Sequence, residues 1–115
     1  AAVEHVVGVQ AGMRAIAIEA DCDRQDKQRE IIEAADAVDT GDGVIIVTDM
    51  FGGSPSNLSL PACRADKRRI LYGANLPMLI KLAKMRRRAL PDAVLLALEA
   101  GRKYIDSKNL SADVL

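Results

Sequence analysis

The sequence predicts an α/β fold, a three-layer sandwich in which helices flank both faces of a mostly parallel sheet. Val44, Ile45, Ile46 and Val47 form a short apolar run rich in β-branched residues, the composition of a strand covered on both sides. Amphipathic helical stretches alternate with runs of this kind, which implies βαβ units rather than hairpins. Twice a strand-like run leads into a glycine turn and a helix start, at Gly52-Gly53-Ser54 and at Gly73-Ala74-Asn75. With 115 residues, half of them hydrophobic, the chain suits one compact domain over residues 1–115 and is too short for two.

Taken in order, Ala1 to Val7 reads as a helix closed by Gly8, which tolerates the left-handed conformation just past a helix end. Met13 to Glu19 places Ile16 and Ile18 in alternation, as in a short strand that ends at the polar turn Asp21-Cys22-Asp23. Residues 24–38 carry charge on one side and Ile31, Ile32, Ala34, Ala35 and Val38 on the other, an amphipathic helix ending near Gly41. The strand at 44–47 follows, then the glycine turn, with Ser54 placed to cap and Pro55 to open a helix running to about Ala65. Arg69 to Tyr72 makes a second short strand, after which Asn75 caps a helix that runs to the basic cluster Arg86, Arg87 and Arg88. Pro91 starts the last helix, which is expected to stop at Gly101 and leave a polar tail with room for one antiparallel edge strand.

Several function classes fall away on composition. Sixteen basic residues balance sixteen acidic ones, so no long-range field draws the molecule to nucleic acid or anionic lipid. The longest apolar runs are too short to span a bilayer. Cys22 and Cys63 lack CxxC spacing and His5 is the single histidine, so no metal site is expected. The glycine turn lacks the lysine of a Walker-type loop, which argues against nucleotide hydrolysis. Ser54 does not lie in a Gly-x-Ser-x-Gly elbow and has no evident base, so it reads as a cap rather than a nucleophile. The run Lys81, Lys84, Arg86, Arg87 and Arg88 is either a solvated helix end favoured by the dipole or a patch for an acidic partner surface, the first being the simpler reading.

Ligands of open parallel sheets bind beyond the carboxyl ends of the strands. Asp49, Gly52, Gly53 and Asn75 all gather at that rim, where unpaired amides at two helix starts favour an anion. Without further context, an aspartate at a strand end is more often a turn or cap residue than a catalytic one.

The motifs Gly41-Asp-Gly43, Asp49-Met-Phe-Gly-Gly-Ser-Pro-Ser-Asn57, Gly73-Ala-Asn-Leu-Pro-Met-Leu79 and Glu99-Ala-Gly-Arg102 together resemble the enzyme IIA domain of the mannose-type sugar phosphotransferase system, over nearly the whole chain. The resemblance implies a cytoplasmic bacterial phosphocarrier that needs no cofactor and relays a phosphoryl group from the carrier HPr to a histidine of a IIB domain. It implies a homodimer that exchanges a carboxyl-terminal strand, in a membrane-associated complex without itself entering the membrane. Asp49 and Ser54 match functional positions, while Gly52, Gly53, Pro55 and Asn57 belong to the motif that shapes the turn. The accepting histidine of the family follows a first, central strand in a Thr-His-Gly segment. His5 matches a helix position instead, so two expectations stand: an amino-terminally truncated domain whose first central strand and acceptor lie before Ala1, which is the favoured one, or a product that has lost its active centre; in either case the chain lacks the acceptor histidine.

By their chemistry, Asp49 would hold one N–H of the acceptor imidazole, and the amides of Gly52, Gly53 and Ser54 with the Ser54 hydroxyl would stabilise the charge on the transferring phosphoryl oxygens. Asn75 would complete the rim. Two other readings stay open: a non-catalytic regulatory module that binds a protein partner, and a phosphocarrier subunit that serves dihydroxyacetone kinase.

Overall fold

The computed structural model describes residues 12–19, 21–49, 54–64 and 67–108, with the side chains of 54–56 outside the description. The elements are α1 (Arg24–Val38), β1 (Val44–Val47), α2 (Ser54–Ser59) followed by a 3-10 turn (Leu60–Arg64), β2 (Arg68–Leu71), α3 (Leu76–Lys84) and α4 (Leu90–Lys103). β1 and β2 pair in parallel, Val44 opposite Arg68 and Val47 opposite Leu71. β1 divides its side chains between two apolar clusters, as a period of two requires. Val44 and Ile46 join Ile31, Ala35, Leu58 and Ala62 on one face. Ile45 and Val47 join Leu71, Met78, Val94 and Ala97 on the other. Helices therefore cover both faces of a parallel sheet, the α/β arrangement the sequence predicts.

Both strands start at a close backbone approach. Gly43 has φ +110°, and a Cβ there would stand 2.5 Å from the Lys67 carbonyl, to which Val44 N–H donates at 3.0 Å. Only glycine meets both demands. Next to it, the Arg68 guanidinium fastens β2 to the end of α1: Nη2 donates to Asp36 Oδ1 at 2.7 Å and Asp39 Oδ2 at 3.1 Å, and Nη1 donates to the Ala62 carbonyl at 3.0 Å. Asp39 also accepts from the Gly41 amide at 2.8 Å, and that bond, followed by the one from Arg68, holds its carboxyl below the ordinary aspartate value.

Four expectations need correcting. Residues 13–19 are irregular and make no ladder bonds among the described residues; Ile16 and Ile18 reach the α1-side cluster, yet a strand also needs a neighbour for its backbone. The helix after the glycine turn gives way to the 3-10 turn at Leu60, because Pro61 lacks the N–H and crowds the carbonyl four residues back. α3 stops at Lys84, short of the arginine cluster, which lies in a turn. α4 does not stop at Gly101 but runs to Lys103. Gly101 is buried where a Cβ would meet Met78 at 3.2–3.3 Å, so the glycine serves helix packing rather than termination. In the tail, 105–108 are irregular. The helix expected over 1–7, the closing Gly8 and the tail beyond 108 lie outside the described residues.

Candidate functional site

The carboxyl ends of β1 and β2 are joined beyond the last ladder residues. Thr48 N–H donates to the Leu71 carbonyl at 2.9 Å, and the Thr48 carbonyl accepts from Ala74 N–H at 3.0 Å. Asp49 and the Gly73-Ala74-Asn75 turn consequently leave the sheet at the same rim. Asp49 is exposed there, able to accept hydrogen bonds from an incoming group.

Asn75 caps α3 as its position predicts: Oδ1 accepts from Met78 N–H at 3.0 Å. Its Nδ2 donates to the Gly101 carbonyl at 2.8 Å, in the last turn of α4. Both polar ends of the side chain are thus engaged in holding helices. In the first turn of α3, Met78 N–H is taken by the cap, Leu79 N–H by the Asn75 carbonyl, and Pro77 has none. Among the described residues, these bonds leave the main-chain amides of Asn75 and Leu76 as donors at this strand end.

At the other strand end, Ser54 is the first residue of α2 and Leu58 is buried at 1% exposure, anchoring that helix to the β1 face that carries Val44 and Ile46. Gly52 and Gly53 lie outside the described residues, as does the Ser54 side chain, and so does His5. The structure therefore brings Asp49 and Asn75 to one rim.

The sequence reading passed over one polar group. Thr48 is 7% exposed and its Oγ1 is buried without a hydrogen-bond partner among the described residues. Alternation from Val44 and Ile46 places position 48 on the β1 face that packs toward α1 and α2, and that register was the available signal. Cys22 and Cys63 are free, and burial pushes the Cys63 thiol up, which keeps it protonated. Among the described residues no helix is long and apolar enough to cross a membrane.

No curated protein matches the chain. A family model described as PTS system fructose IIA component, EIIA-man, matches residues 1–98. That span takes in both strands, Asp49 and the Asn75 cap, and three of the four motifs that carried the resemblance; Glu99-Ala-Gly-Arg102 follows it. With 98 of its 115 residues inside the model, the chain belongs to the EIIA-man family of sugar phosphotransferase system components.

Proposed function

We propose that the chain is the larger part of a cytoplasmic phosphocarrier domain that takes a phosphoryl group from phospho-HPr and passes it to a histidine of a IIB domain, with the acceptor imidazole supplied by polypeptide preceding Ala1. The observation that carries the reading is the bond between Thr48 and Ala74, which brings an exposed Asp49 and the second strand end to one rim in a chain of this family.

In this mechanism one ring nitrogen of the acceptor attacks phosphorus as the P–N bond to HPr breaks. Asp49 accepts the N–H of the other ring nitrogen, fixing the tautomer and stabilising the imidazolium that forms. Amides of Gly52, Gly53 and Ser54, with the Ser54 hydroxyl, bind the equatorial oxygens, and Asn75 shapes the opposite side of the rim. No metal or cofactor takes part. The same chemistry would serve a dihydroxyacetone kinase as downstream partner. Nothing observed favours the non-catalytic module over the relay.

The test is incubation with enzyme I, HPr and labelled phosphoenolpyruvate. This chain is expected to stay unlabelled, and a version extended upstream through the Thr-His-Gly segment to take up acid-labile phosphate. In the extended version Asp49→Asn should slow transfer by about 10²–10³-fold. Label on the present chain at His5, or unimpaired transfer by Asp49→Asn, would overturn the assignment.

A further inference from the structure

α3 and α4 lie on one face of the sheet, tied at one end by Asn75 and Gly101. Between them runs an open groove of about 520 Å³, floored by Ile80, Leu96 and Ala100. Lys81 and Lys84 border it from α3, and Lys103 and Tyr104 from the end of α4. Among the described residues no carboxylate lies within ion-pair distance of Lys81, Lys84 or Lys103, although Glu99 also borders the groove and stands four residues before Lys103. Lys103 Nζ instead stands 5.5 Å from the centre of the Tyr104 ring, which is 66% exposed. In a chain of zero net charge, three ammonium groups against one carboxylate around an apolar floor form a local positive site.

We infer that the α3/α4 groove docks an acidic amphipathic helix of a partner protein. The shape suits a helix: the α3 side of the groove, from Pro77 to Lys84, runs about 10 Å, some two turns. Apolar side chains on one stripe would cover Ile80, Leu96 and the Tyr104 ring, and carboxylates flanking that stripe would meet the lysines. Charge complementarity sets the sign of the partner, and the apolar floor sets its amphipathicity. A nucleic acid fits less well, because one aromatic ring and a carboxylate within the groove make a poor stacking platform. The inference stands apart from the phosphoryl relay and survives if that reading fails.

The probe is a synthetic peptide of about 14 residues, long enough for marginal helicity, with a leucine stripe flanked by glutamates. Titrated into the isotope-labelled chain at low salt, it should shift amide resonances of α3 and α4 that border the groove. The double variant Lys81→Glu, Lys84→Glu should weaken binding by at least about tenfold, and a peptide with lysines in place of its glutamates should then bind the variant. Tyr104→Ser, at an exposed position, should weaken the original peptide further. Shifts confined to other surfaces would overturn the inference. So would equal binding to the charge-reversed variant, equal binding of a glutamate peptide without leucines, or tighter binding of a single-stranded oligonucleotide at the same residues.

Discussion

Arg68 is the residue whose surroundings most constrain it. Its side chain is 5% exposed and joins the start of β2 to two aspartates and the Ala62 carbonyl. Arg68→Ala removes all three bonds and the packing of the stem, and should cost about 2–3 kcal/mol in urea unfolding. One of its partners contributes to the acid limb. The native pKa of Asp39 is lowered by the Gly41 amide and then by Arg68, so its contribution is complete above the ordinary aspartate range and lost as the pH falls through the depressed native value. Asp39→Asn should therefore flatten the fall of melting temperature with acidification. Thr48 predicts the opposite sign. Its hydroxyl is buried with no partner among the described residues, so the isosteric Thr48→Val should raise stability by about 1 kcal/mol in chemical denaturation, and a loss would mean that the hydroxyl is satisfied in solution.

Among the elements, the firmly patterned ones were legible and the ones set by neighbours were not. The helix at 24–38 and the strand at 44–47 stand where periodicity placed them, because each carries its own apolar face and α1 its own Asp23 cap. The segment at 13–19 alternates like a strand, but strand formation depends on a second chain segment that the local pattern cannot specify. Gly101 misled for a related reason. A glycine near a helix end reads as a terminator, whereas here the space is taken by Met78 from another helix. Gly101→Val should accordingly destabilise by about 1–3 kcal/mol through overpacking, while Gly101→Ala should stay within about 1 kcal/mol as helix propensity offsets the tighter contact. Thermal melts of the two variants distinguish the packing role from a capping role, in which alanine would be nearly as harmful as valine. At the candidate site, Asp49 and Asn75 were readable from strand and cap signals. The second bond of Asn75 was not, since its partner lies 26 residues away in another helix.

For the whole molecule, the character of the interior matters more than its extent. Half of the twelve hydrophobic residues buried among the described positions are alanine, and Leu58 is the one large side chain buried almost completely. Small side chains remove little apolar area each, so the two clusters leave a modest margin over conformational entropy. If a central strand precedes Ala1 as proposed, a chain extended to include it should melt higher by more than about 10 °C, since each kcal/mol gained moves the midpoint of a domain this size by several degrees. An unchanged midpoint would count against the missing-strand reading and leave the family assignment intact. The bond that Asn75 makes at each end of its side chain has a mechanical consequence at this scale. With Oδ1 seated on α3 and Nδ2 on α4, one residue acts as a bolt through the pair, and neither helix can slide along the other without breaking a bond. Loss of that one side chain, as in Asn75→Ala, would therefore uncap the third helix and unfasten it from the fourth in a single step.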